Sequence, residues 1–280
     1  MMSTRKAISL VETLVVVGMI SILVSLLLPA IQNSRESSRR VSCQNNLHQI
    51  AIAVLAHEST RQRLPPGTID QQTVTWGTAA VLLTHFDRPE LSAQDLSGPC
   101  LERISKSPVL QKSVSKPLPQ FSCPTDPYNG TVLREPFEDP KGNSELPLGN
   151  YVGVSGSHVP QVKDNGVLFA ESNLRMASVT DGTSKTLLMG ERRITFERAV
   201  HGSVFSAMAY FCSGKGTFQF QGIVKRINDP AGMRIFSSRH SGGAYFNFVD
   251  GHVSFLTDGT DVDTLRSLAT RNGNEIGIAN

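Results

Sequence analysis

The chain has 280 residues, 39% hydrophobic and 18% charged, which suits one substantial folded core and excludes a disordered chain. Its formal net charge is +3, with no basic stripe or aromatic-interleaved patch, so no nucleic-acid partner is expected. No G-x-S-x-G, H-E-x-x-H, C-x-x-C or P-loop pattern occurs and the seven histidines are dispersed, so the chain is not expected to be an enzyme.

The first element is an apolar run over residues 8–30 that holds a single charge, Glu12. A bilayer core takes about 20 helical residues, so the run predicts a membrane span. Arg5 and Lys6 just upstream favour leaving residues 1–7 in the cytoplasm, with the rest of the chain on the other side. A secretory signal fits less well, because its apolar region has only about 7–15 residues and ends at a small-residue cleavage site. A plain signal anchor stays open as an alternative. A carboxylate inside a spanning helix costs on the order of 2.5–3.5 kcal/mol at the centre and less near an end, which makes Glu12 a functional candidate in need of a counter-ion.

The stretch Lys6-Ala7-Ile8-Ser9-Leu10-Val11-Glu12-Thr13-Leu14 resembles the processing site of type IV prepilins and type II secretion pseudopilins. In that family a membrane peptidase cuts between a small and a hydrophobic residue, here Ala7 and Ile8, and the new N-terminus is methylated. Counted from Ile8, Glu12 is fifth and Pro29 twenty-second, the family's positions for its acidic residue and its helix-bending proline. Ala7 stands where glycine is usual and Ile8 where phenylalanine is usual. The resemblance implies a prepilin peptidase as one partner and pilin-like subunits, in a homo- or hetero-oligomer, as others. Glu12 would pair with the freed α-amino group of a neighbouring copy, an ion pair that offsets desolvation when its geometry is good. The implied location is the inner membrane, crossed once, with the head in the periplasm or at the cell surface.

After Pro29, which should kink the helix, Leu47, Ile50, Ala51, Val54 and Leu55 recur at helical spacing and predict one buried face. Arg35, Glu36, Arg39, Arg40 and Gln44 fill the intervening positions. A helix over residues 8–58 would be roughly 75 Å long, its first half facing lipid and its second packed on a head formed by residues 59–280. Twelve of the fifteen prolines lie between Pro65 and Pro147, so residues 65–149 read as loop-rich, with a short helix near 78–86 packed on the stem.

From residue 150 onward the signals turn to strands, at 151–154, 167–170, 185–190, 218–224, 234–236 and 244–256. Asp250-Gly251 between two apolar runs predicts a two-residue hairpin turn. That register sets Phe248 opposite Val253 and Phe246 opposite Phe255 on one face, with Asn247, His252 and Ser254 on a solvated one. Asp261 or Asp263 then caps a helix running to about Arg271, closed by Gly273. The expected fold class is α+β: a pilin-like long N-terminal helix, membrane-spanning in its first half, packed on a mainly antiparallel sheet.

Four segments carry a second resemblance: RRVSCQNNLHQI at 39–50, FSCPTDP at 121–127, DGTSKTLLMGER at 181–192, and His240 with Asp250-Gly251 after a nine-residue gap. They are similar to the landmarks of a bacterial domain-of-unknown-function family that has a pilin-like N-terminus and a C-terminal H-X9-DG motif. Asp250 and Gly251 are accounted for by turn chemistry, and His240 reads as a hydrogen-bonded loop residue. Asp258, Asp261 and Asp263 could offer hard oxygen ligands to calcium; capping explains them as well, so no cofactor is assigned. The four cysteines allow three pairings. Cys43 and Cys123 both fall in landmark segments, which makes them the expected disulfide. The functional expectation is a structural pilin- or pseudopilin-like subunit of a secretion-like apparatus, the alternative being a tethered extracytoplasmic binding module that does not polymerise.

Overall fold

The structure is a computed structural model, and it describes residues 10–69, 75–86, 96, 98–130, 132–134, 145–158, 164–195, 197–198, 204–205, 212–213, 220–230 and 235–273. The chain divides into two compact units, residues 1–41 and 42–280. Helix α1 (Leu10–Arg61) supplies the described part of the first unit and the first element of the second. It stays helical through Pro29 and ends three residues beyond the expected boundary, where Gln62 turns into the left-handed region at φ 55°.

Within the first unit every side chain from Leu10 to Glu36 but one is exposed, including all the large apolar ones. Three of the hydroxyls in the apolar part bond to the helix itself. The hydroxyls of Thr13, Ser21 and Ser25 donate to the carbonyls of Leu10, Val17 and Ile22 at 2.8 Å, so these three need no water, which suits an apolar environment. α1 is long and apolar enough to cross a membrane.

In the second unit α1 becomes a core helix, with Cys43, Leu47, Ile50, Ala51 and Val54 fully buried. It packs on one face of a five-stranded sheet made of β1 (Tyr151–Gly156), β2 (Leu187–Glu191), β3 (Phe220–Gly222), β4 (Gly243–Phe248) and β5 (Val253–Thr257). The strand order is β5-β4-β2-β1-β3; all neighbours are antiparallel except β1 and β3. Tyr151, Leu188, Met189, Tyr245 and Val253 face the α1 side, in one cluster with Leu47 and Ile50. Val152, Val154, Leu187, Ala244, Phe246 and Phe248 face the other way and meet Leu265 and Ala269 of helix α5 (Val262–Ala269).

The hairpin register differs from the expected one by a residue. Tyr245 pairs with Phe255 and Asn247 with Val253, because the loop holds three residues, Val249, Asp250 and Gly251, closed by Phe248 N–H donating to the His252 carbonyl at 2.9 Å. Gly251, at φ 97°, takes the left-handed position that such a loop requires. A one-residue slip exchanges faces, so Phe246 and Phe248 lie on the α5 side, while Asn247 is buried towards α1 and not solvated. Both faces of the sheet are therefore covered. Residues 167–170 form no strand beyond a single bridge at Ala170, and Ile235 and Phe236 form none; Arg234 lies outside the described residues.

The proline-rich region is more helical than expected. The short helix near 78–86 appears as α2 (Thr78–Val81) followed by a 3-10 turn (Leu83–His85), and two further helices occur, α3 (Cys100–Lys106) and α4 (Pro108–Ser115). Ser107 caps α4 by accepting from Leu110 N–H at 3.3 Å, with Pro108 at the first helical position, where a missing N–H costs nothing.

Candidate functional site

The second half of α1 is clamped to the head at two ends, and polar groups gather at both. At the first end Cys43 of α1 and Cys123, which follows the 3-10 turn Pro119–Phe121, form a disulfide with a Cα–Cα distance of 5.4 Å. Both are buried, and Cys100 is also disulfide-bonded. The Cys123 N–H donates to Asn150 Oδ1 at 2.9 Å, and Asn150 Nδ2 donates to Asp126 Oδ2 at 2.8 Å and to the Arg192 carbonyl at 3.2 Å. Asp126 in turn accepts from the Ile194 and Tyr128 N–H groups at 2.9 and 3.0 Å. A buried carboxylate holding several N–H donors is stable where an isolated one is not. This hub ties the loop bearing Cys123 to the end of β2.

His240 stands against the disulfide. Its Nε2 is 3.6 Å from Cys123 Sγ and 3.4 Å from Glu191 Oε1, and its ring meets Tyr245 edge-on at 5.7 Å. Glu191, 1% exposed at the end of β2, accepts from the Tyr245 N–H through Oε2 at 2.8 Å, while Oε1 makes no hydrogen bond. Tyr151 lies alongside. Its hydroxyl donates to the Cys43 carbonyl at 3.5 Å and accepts from Asn46 Nδ2 at 3.3 Å. Burial, and then the Glu191 carboxylate, push the phenol well above its ordinary range. The donor atoms of Cys43, Cys123, Glu191 and His240 all lie within 4.8 Å of one another, which makes this the metal-type cluster among the described residues.

At the other end the Asp250-Gly251 turn meets α1. His48 Nδ1 donates to the Gly251 carbonyl at 3.1 Å, and a Cβ at Gly251 would come within 3.2 Å of Leu55. The Val249 and Asp250 N–H groups donate to the Thr186 and Thr183 carbonyls. Between the two ends Asn247 Nδ2 donates to the Leu47 carbonyl at 2.9 Å, and its Oδ1 accepts from Met189 N–H at 2.8 Å. The other three motif segments thus converge on the helix that carries the first, and His240 and Asp250-Gly251 act at opposite ends of that seam.

The other sequence candidates lie apart. Glu12 sits in the first turn of α1, and Ala7 and Ile8 lie outside the described residues. Asp261 caps α5, accepting from Asp263 and Thr264 N–H; Asp263 pairs with Arg266 at 3.0 Å, and Asp258 accepts from Asn228 at 2.8 Å. Each of these carboxylates is engaged locally. Asp126 and Glu191 fall inside the landmark segments but carry no role of their own in the sequence reading, Asn247 is expected there on a solvated face, and Asn150 and Tyr151 have no assigned role. The signal for Asn247 is a polar residue inside an otherwise apolar strand run.

The family of proteins of unknown function designated DUF1559 matches residues 32–263. The chain belongs to the DUF1559 family. All four converging segments fall inside the match, and the apolar run at 8–30 precedes it. No curated protein and no solved structure matches the chain. DUF1559 membership together with an exposed apolar N-terminal helix fits a membrane-anchored protein.

Proposed function

We propose that this DUF1559 protein is a pilin- or pseudopilin-like structural subunit of the inner membrane. Prepilin peptidase removes residues 1–7, α1 holds the mature chain in the bilayer, and the head faces the periplasm or cell surface. Glu12 of one copy engages the α-amino group of Ile8 on the next, setting the register of a short fibre or secretion-like apparatus. The observation that carries the reading is the exposed apolar stretch of α1 up to residue 30, whose one acidic residue, Glu12, is fifth when Ile8 is counted as first. Self-satisfied hydroxyls along the helix and a head clamped onto its second half by a disulfide support the same reading.

Mass spectrometry of the purified protein is expected to find a methylated Ile8 at the N-terminus. Glu12→Ala should leave membrane insertion intact and abolish cross-linked oligomers. A chain that keeps residues 1–7, or a Glu12→Ala variant that assembles normally, would overturn the reading. A second reading, a tethered binding module, draws on a cavity of about 680 Å³ lined by His57, Arg61, Pro66 and His85. It predicts that Glu12→Ala has no consequence.

A further inference from the structure

The seam at the disulfide end contains more ligating chemistry than a cross-link needs. We propose that Cys43, Cys123, His240 and Glu191 form a tetrahedral zinc site in the dithiol state of the protein, so that one cluster links α1 to the head either by a disulfide or by a metal ion. Independent observations converge here. Four donor atoms of the types zinc prefers lie within 4.8 Å of one another, all buried. Glu191 Oε1 is buried, makes no hydrogen bond and is directed at the same point.

The geometry supports a tetrahedron. With Zn–S near 2.3 Å, Zn–N near 2.05 Å and Zn–O near 2.1 Å, tetrahedral angles put S···N edges at about 3.6 Å and N···O edges at about 3.4 Å. The observed Cys123 Sγ to His240 Nε2 and His240 Nε2 to Glu191 Oε1 separations are 3.6 and 3.4 Å. The sulfur–sulfur edge must lengthen from a bond of about 2.05 Å to about 3.8 Å, which side-chain rotation supplies once the bond is broken, and the remaining edges start within 4.8 Å.

The supporting shell is already in place. Tyr245 N–H orients Glu191 through Oε2, Asn150 fixes the Cys123 backbone, and Ser238 Oγ fixes the His240 backbone by accepting its main-chain N–H at 3.0 Å; such partners help hold ligands in their metal-binding orientation. Two thiolates, one carboxylate and a neutral imidazole around Zn2+ leave a net charge of −1, the same as in structural sites of three cysteines and one histidine.

The chemistry balances with a dithiol as reductant. It delivers two electrons and two protons, becoming a disulfide, while the Cys43–Cys123 bond opens to two thiols. Zn2+ then displaces both thiol protons to solvent. His240 binds through the Nε2 lone pair, keeping its proton on Nδ1.

The test uses the full chain in detergent micelles, oxidised or dithiol-reduced under anoxia, titrated with Co2+ and then Zn2+. The reduced chain is expected to take up one Co2+, with thiolate charge-transfer and tetrahedral d–d absorption that Zn2+ abolishes, while the oxidised chain shows neither. Glu191→Gln, whose amide oxygen can still accept from Tyr245, should weaken binding by more than about tenfold, the loss typical of even an outer-shell partner. Absorption bands that persist in the Cys43→Ser/Cys123→Ser variant, or unchanged affinity in both Glu191→Gln and His240→Ala, would overturn the assignment. If reduction alone abolishes the near-ultraviolet circular dichroism, Zn2+ should restore it, and failure to restore it would equally refute the site. A reduced chain that keeps its native spectrum and binds no Co2+ would also do so.

Discussion

Replacing Asn247 with alanine tests whether the sheet is pinned to α1 by hydrogen bonds or merely by apolar contact. Asn247 is fully buried and sits where the β2/β4 register shifts, so Met189 N–H finds its acceptor in the Asn247 side chain. Two buried hydrogen bonds contribute about 1 kcal/mol each, and the orphaned Met189 N–H adds about 1–3 kcal/mol of uncompensated desolvation. The Leu47 carbonyl suffers less, since it lies within a helix that already supplies a donor. The expected loss is about 3–5 kcal/mol, a large share of the 5–15 kcal/mol typical of a folded domain. Guanidinium unfolding in micelles can be followed by the fluorescence of Trp76, the single tryptophan, which is buried in the α1-side core. Asn247→Leu restores volume but not the acceptor, so it should recover less than about 1 kcal/mol of the loss. A loss below about 1 kcal/mol in Asn247→Ala, or near-native stability in Asn247→Leu, would refute the hydrogen-bond argument.

Gly190→Ala puts a Cβ within 2.3–2.7 Å of the Phe246 and Phe236 rings, so thermal melts should show a loss of about 1–3 kcal/mol, partly recovered by adding Phe246→Leu. Asp261→Ala removes the α5 cap and should cost about 1 kcal/mol in the same assay, whereas Asp261→Asn should be nearly neutral. The His57 imidazole is held below its ordinary value of about 6.5 by burial, then by Arg61 and His85. The unfolded chain therefore binds that proton first as pH falls, and stability should drop below about pH 6.5. His57→Gln should flatten that part of a melting-temperature profile between pH 7.5 and 5.5; an unchanged slope would show that His57 does not contribute.

Local chemistry was legible where one residue class has one structural use. The 3.6-residue spacing of Leu47, Ile50, Ala51, Val54 and Leu55 selected the buried face of α1, with Leu55 half-buried, and of the two candidate caps, Asp261 and Asp263, the first starts α5. Ser107-Pro108 carried an equally local signal for α4, obscured by the density of prolines around it. The hairpin shows where such reasoning stops. Asp250-Gly251 suits both a two- and a three-residue loop, and alternation identifies a wet face only when one face is wet. Here α1 and α5 cover both faces, and Asn247 is buried because its amide reaches the Leu47 carbonyl, a contact across 200 residues.

An apolar helix with one acid, an amphipathic continuation, strand-rich composition and a capped last helix follow from neighbours within a few positions, because periodicity and capping are local. The meeting of His240 with Glu191 and the disulfide, the burial of Asn247 and the parallel placement of β3 needed the folded chain. Those contacts join segments far apart in sequence, and their energies depend on a desolvation that exists only once sheet and helix have closed on each other.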